Sequence, residues 1–183
     1  MEIAAGRYRF GGEHGQLVLH TSRTGLGRKA GHDLAIEATR WSGETTVGDT
    51  HDVQVAVEID GLEVRTGSGG LKPLTDHDRR EIRRTLRGEK LLAANVQPTI
   101  TFHATEVSGT SDRFELTGDL TVAGTTRPVT VRGSVSDTGR VRGTATIVQS
   151  RWGIKPYTAF FGALRLADEV EIEFDTALDP VTG

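Results

Sequence analysis

The stretch Gly118–Val135, GDLTVAGTTRPVTVRGSV, places apolar residues on alternate positions, breaks at Gly124–Pro128, and then resumes the alternation. Successive strand side chains point to opposite faces, so Leu120 and Val122 share one face while Asp119 and Thr121 take the other. Beyond the break, Val129, Val131 and Val135 lie opposite Thr130, Arg132 and Ser134. Two half-buried strands joined by a turn predict an antiparallel hairpin. Its apolar face needs a second sheet, a helix or a ligand to cover it.

Six further segments alternate in the same way. Leu17, Leu19 and Thr21 share a face, as do Leu34, Ile36 and Ala38, and Val53, Val55, Val57 and Ile59. Ile100, Phe102 and Ala104 follow, then Val141, Ala145 and Ile147, and finally Val170, Ile172 and Phe174 opposite Glu169, Glu171, Glu173 and Asp175. Eight strands, each with one wet face, predict a mainly β protein: an antiparallel sandwich or up-and-down barrel. One segment has a different period. Residues 75–94 begin at Thr75, a good N-cap, carry acids early and bases late, and space Ile82 and Leu86 one turn apart, which predicts a helical insertion. It can act as a lid, or as a plug that only buries Ile82 and Leu86.

At 183 residues, with no Pro-rich or Ser-rich linker, the chain reads as a single domain over 1–183. A net charge of -3 gives no whole-molecule attraction to nucleic acid, and zero cysteines exclude disulfides, thiolate catalysis and cysteine-ligated zinc. The amino terminus shows no basic region followed by an apolar run, and no later segment reads as a membrane span, which predicts a soluble cytoplasmic protein unless a leader has been removed.

Several segments, in this order, resemble the YceI-like family of polyisoprenoid-binding proteins. They are GRYRF at Gly6–Phe10, GHDLAIEATRWSG at Gly31–Gly43, GGLKPLTDHDRREI at Gly69–Ile82, QPTITFHATEV at Gln97–Val107, the opening hairpin, and SRWGIKPYTAFFGALRLADEVEIEF at Ser150–Phe174. The resemblance implies an eight-stranded, lipocalin-like antiparallel barrel holding a long apolar ligand such as an isoprenoid quinone or related lipid. The long loop KPYTAFFGALRLADE suggests a subgroup with its own ligand.

An eight-stranded barrel can be filled by its own side chains or can hold one small ligand. Gly118, Gly133 and Gly143 share the apolar phase of neighbouring strands, which either lets the strands bend or leaves a cavity where side chains are missing. Of six histidines only His32 shares the phase of Leu34 and Ile36, and Arg151 follows the parity of Val141 to Gln149 if that strand runs so far. Trp152, Tyr157, Phe160 and Phe161 cluster beside it as a rim or as core plugs. The residues expected at the ligand are His32, Leu34, Ile36, Ile100, Phe102, Gly118, Leu120, Gly133, Gly143, Ala145, Arg151, Trp152, Phe160 and Phe161. His32 and Arg151 would meet a head group; no catalytic residue, metal ligand or cofactor is expected. The rival readings are a small enzyme with His32 as general base, and a filled barrel serving as an interaction scaffold. Expected partners are a long-chain lipid, a membrane surface reached through the basic helix, and a second copy of the chain, with no nucleic acid.

Overall fold

The computed structural model of the chain describes residues 3–181. Eleven strands of five or more residues, or six to fourteen here, form one antiparallel path with two short additions. In chain order they are β1 (Gly6–Gly11), β2 (Gly15–Thr24), β3 (Asp33–Ala38), β4 (Trp41–Val47), β5 (Asp52–Glu58), β6 (Leu62–Ser68), α1 (Asp76–Arg87), β7 (Thr99–Thr110), β8 (Arg113–Val122), β9 (Thr125–Val135), β10 (Arg140–Val148), β11 (Thr158–Ala159), β12 (Leu164–Ala177) and β13 (Asp179–Pro180). The spatial order is β13-β1-β4-β5-β7-β8-β9-β10-β12-β2-β3-β6, with β11 paired to β12. The eight expected segments are all strands, but the expected eight-stranded barrel is corrected to one curled, half-barrel antiparallel sheet of thirteen strands.

The missed strands present little apolar alternation. The inward positions of β4 are Trp41, Gly43, Thr45 and Val47, so glycine and threonine interrupt the signal. Tyr8 and Phe10 are the only large apolar residues of β1, and β11 and β13 have two residues each.

The opening hairpin is β8 and β9, with Leu116 opposite Val131 and Gly118 opposite Val129. The sheet path ends at β13 and β6. Around β6 the curl is secured in two ways. The backbone N–H of Thr39 donates to Gly61 O at 2.8 Å, and Glu58 N–H donates to Arg40 O at 3.0 Å, tying the β3–β4 link to the β5–β6 turn. Gly61 is required there, because a Cβ would stand 2.8 Å from Arg40 N. Ile59 and Leu62, on either side of this turn, are fully buried.

Helix α1 lies along β6, the terminal strand of the path. Arg79 donates from Nη1 to the carbonyls of Val64 and Arg65 at 2.8 and 2.7 Å, and Arg83 donates to Asp60 O at 2.7 Å. An exposed edge strand is a template for pairing with other chains, and a helix whose arginines occupy its carbonyls removes that hazard. Thr75 caps the helix as expected: Asp78 N–H donates to Thr75 Oγ1, and Thr75 N–H donates to the Asp78 carboxylate at 2.8 Å. Donation to this carboxylate by the Thr75 N–H, and by the Thr75 hydroxyl at 2.7 Å, holds the Asp78 carboxyl below its ordinary pKa. The helix stops at Arg87 rather than running to residue 94. Gly88 is extended at φ -67° and ψ 161°, and Leu91–Ala94 fold back as turns, putting Leu91 and Leu92 against the core.

Candidate functional site

The concave side of the sheet encloses a cavity of about 1040 Å³. That is at the upper end of ordinary small-molecule pockets, about 300–1,000 Å³. Its walls come from the apolar faces of successive strands: Leu17 and Leu19 of β2, Val53 and Val55 of β5, Val129 and Val131 of β9, and Val170 and Ile172 of β12. Ile82 and Leu86 of α1, with Leu91 and Leu92 behind it, cover the side beyond β6. The helix therefore both covers the cavity and partly buries its own apolar stripe.

Of the residues named from sequence, His32, Leu34, Ile36, Ile100, Phe102, Leu120, Ala145 and Trp152 lie in the cavity wall. Trp152 is 4% exposed and donates from Nε1 to Leu120 O at 3.0 Å, which fixes the indole against the wall. Each of these placements follows from strand phase except those of His32, one residue before β3, and of Trp152, which belongs to a short 3-10 turn, Gln149–Trp152.

That turn also explains why Arg151 is elsewhere. Strand β10 ends at Val148, so the parity that would bring Arg151 inwards stops three residues short. Its guanidinium instead lies 5.9 Å from the centre of the Trp152 ring, and the side chain is exposed. Gln149 occupies the wall in its place, donating from Nε2 to Ala167 O at 2.9 Å. Phe160 and Phe161 lie outside the cavity and are exposed.

His32 sits in the wall, but its Nε2 donates to Lys72 O at 2.7 Å and its ring packs under Gly70, where a Cβ would stand 2.2 Å from Nε2. This nitrogen ties the β2–β3 loop to the segment leading into α1. His103 and His20, expected to face out, pair with Asp52 at 2.6 Å and Glu173 at 3.4 Å. The hydrogen bond from His103 holds the Asp52 carboxyl below its ordinary pKa.

Gly118, Gly133 and Gly143 are not vacancies in the wall. Gly143 faces Phe174 across the β10–β12 pair, and Gly133 faces Phe114 across β8–β9. A Cβ on Gly143 would stand 2.6 Å from the Phe174 ring, one on Gly133 2.4 Å from the Phe114 ring, and one on Gly118 2.4 Å from His103 O. Gly43 and Phe10 repeat the pairing between β4 and β1. Each glycine gives its space to a neighbouring ring or backbone, and the rings of Phe10, Phe114 and Phe174 form the wall. The signal in the sequence was Phe114, Phe174 and Phe10, whose partners depend on a register that sequence alone does not provide.

Among the described residues no cluster of three or more His, Asp or Glu side chains is arranged to hold a metal ion, and no helix is long and apolar enough to cross a membrane.

The fold is similar to that of BcnA from Burkholderia cenocepacia, with a TM-score of 0.66, 17% identity, and coverage of 90% of this chain and 94% of that one. It is also similar to the YCEI protein of Campylobacter jejuni, with a TM-score of 0.57, 12% identity, and coverage of 81% and 85%. A mutant of the latter with a monobromobimane guest structure aligns at a TM-score of 0.59, 12% identity and the same coverage. In sequence, UPF0312 proteins of Pseudomonas paraeruginosa and Pseudomonas aeruginosa are each 33% identical over 90 residues, covering 44% of this chain. The chain spans about half the length of these curated relatives, 46%. The YceI-like domain model matches residues 10–178, from the Phe10 that covers Gly43 to the residue after β12, and the chain therefore belongs to the YceI-like family.

Proposed function

We propose that the protein binds and carries a long apolar molecule, an isoprenoid or another long-chain lipid, inside the curled sheet, without catalysing its transformation. The observation that carries this reading is the cavity of about 1040 Å³ whose walls are predominantly Leu, Ile, Val, Phe and Trp side chains. Such a surface recognises length and apolarity rather than a reacting group. Burying one methylene contributes about 0.8 kcal/mol, so a chain of about 15–20 carbons supplies roughly 12–16 kcal/mol. Association costs about 4–15 kcal/mol, so short chains are poorly held and long ones are retained. His32 is held in a structural tie by its Nε2–H donation to Lys72 O, and Arg151, the companion the enzyme alternative would use, lies outside the wall. Both facts favour carriage.

The test is mass spectrometry of an organic extract of the purified protein, together with binding of an environment-sensitive apolar fluorophore. Co-purified long-chain lipid, or saturable fluorophore binding that a C15–C20 isoprenoid displaces, is the expected result. Ala145→Phe should reduce both, because Ala145 is a small side chain in the wall opposite Ile172. An empty extract with no fluorophore binding to the folded protein would overturn the proposal.

A further inference from the structure

We propose that the loop cluster formed by residues 25–31, 69–73 and 153–163 is a docking surface for an anionic lipid bilayer; its use in loading the cavity rests on the carrier reading above. These loops are distant in sequence and are fastened together. Arg23 donates from Nη1 to Arg28 O and Gly31 O, each at 2.9 Å, and also reaches Gly69 O. His32 holds Lys72 O, and Gly27 N–H donates to Ala163 O at 2.9 Å.

At the tips of this cluster stand large apolar side chains with no cover. Leu26 and Phe161 are fully exposed, Leu71 is 78% exposed and Phe160 62%. Phe160 and Phe161 both adopt left-handed backbone, φ 50° and 56°, a conformation disfavoured for bulky residues. Strain of this kind persists only where the surrounding fold imposes it, and here it turns two rings away from the body of the protein. Within the three segments the charge has one sign, and the neighbouring Asp33 is paired with Arg23. The three loop segments contain Arg28, Lys29, Lys72 and Lys155 and no aspartate or glutamate, in a chain whose net charge is -3. All four basic side chains are exposed. Apolar tips ringed by cations match the two layers of an anionic membrane surface, acyl chains beneath phosphate groups.

The location gives the surface a use, because Gly31, His32, Tyr157, Leu164 and Leu166, from the same loops and the start of β12, lie in the cavity wall. The basic helix is a weaker membrane face than its sequence suggests: Arg79 and Arg83 bind carbonyls of β6 and of the β5–β6 turn, and Arg87 pairs with Asp60.

The experiment is vesicle flotation of the whole chain with phosphatidylcholine alone and with equal parts of phosphatidylcholine and phosphatidylglycerol, at low and high salt. The expected result is flotation with the anionic vesicles only, weakened by salt. Replacing Phe160 and Phe161 together by Asn, which tolerates the left-handed backbone, should lower bound protein about tenfold. The pair Arg28→Glu and Lys29→Glu should do the same. Both variants should bind the cavity fluorophore as the wild type does. Wild type that stays off anionic vesicles, or variants that float unchanged, would overturn the proposal. So would a dimer in sedimentation velocity that the Asn pair dissolves, since the rim would then meet a second copy. Flotation that holds while the wild type binds no fluorophore would refute carriage and leave the docking surface standing.

Discussion

Gly143→Val tests whether the glycines make room for rings or for ligand. In the folded protein a Cβ at this position meets the Phe174 ring at 2.6 Å on two carbons and Arg132 O at 2.8 Å. Ordinary contact begins near 3.5 Å, so a valine forces the ring off its rotamer and also presses on the β9 backbone. Overpacking costs about 1–3 kcal/mol and an off-rotamer ring about 0.5–1.5 kcal/mol more, which centres the loss near 3 kcal/mol. For a chain of this size that corresponds to a fall of roughly 6–12 °C in Tm. The assay is thermal and urea unfolding of lipid-stripped wild type, Gly143→Val, Phe174→Leu and the double variant. With the ring gone, only the press on Arg132 O remains, so the cycle should show a favourable coupling of about 1–2 kcal/mol. The displaced ring must move into the cavity it lines, and fluorophore binding by Gly143→Val should fall as well. Additivity within about 0.5 kcal/mol, or a Gly143→Val protein with wild-type Tm and wild-type fluorophore binding, would refute the reasoning.

Three further outcomes are expected. Trp152→Phe should cost about 1 kcal/mol in urea unfolding, because it removes the donor to Leu120 O while keeping most of the packing. Arg79→Ala should raise amide hydrogen exchange in β6 and α1 well before the rest of the sheet, since Arg79 alone bridges the helix to two β6 carbonyls. Burial raises the Asp175 carboxyl, but hydrogen bonds from Arg140 at 2.5 Å and Arg142 at 2.6 Å outweigh it and hold the pKa below its ordinary value. A depressed carboxyl stabilises the fold above its unfolded pKa of about 4 and loses that contribution as pH falls through the folded value. Asp175→Asn should therefore be less stable at pH 7 and converge with wild type in acid; a constant gap across that range would argue against the pairing.

Strand phase made most of the wall legible. Leu34, Ile36, Ile100, Phe102, Leu120 and Ala145 follow from a period of two, which is a local property of the chain, and so does the outward direction of His103. The N-cap at Thr75 was legible for the same reason, being a local signal, and the structure completes it with Asp78 as a capping box. What failed depended on where regular structure stops or on which strands meet. Arg151 was assigned by extending a phase past Val148, and a single 3-10 turn voids that extension. Phe160 and Phe161 were expected at the ligand, as a rim or as core plugs, from their clustering with Trp152 and Tyr157, but two successive left-handed residues leave both exposed outside the wall.

The glycines raise a subtler point about how the cavity arises. An inward glycine removes a side chain from its own strand, but the adjacent strand supplies a ring over the gap, so Gly143 with Phe174 and Gly133 with Phe114 fill their share of wall. Local side-chain volume therefore does not explain about 1040 Å³ of space. Strand number does. Eight strands close on an interior that side chains fill or that holds one small ligand, and the width grows with each added strand. The path here carries β1, β4 and β6 in addition to the eight alternating segments, and α1 covers the far side instead of a tighter closure of the sheet. The strands with the weakest alternation are thus the ones that widen the curl beyond what its side chains can fill. Removing the cavity would then take bulk at inward positions that have no ring above them, such as Ala145, rather than at the glycines.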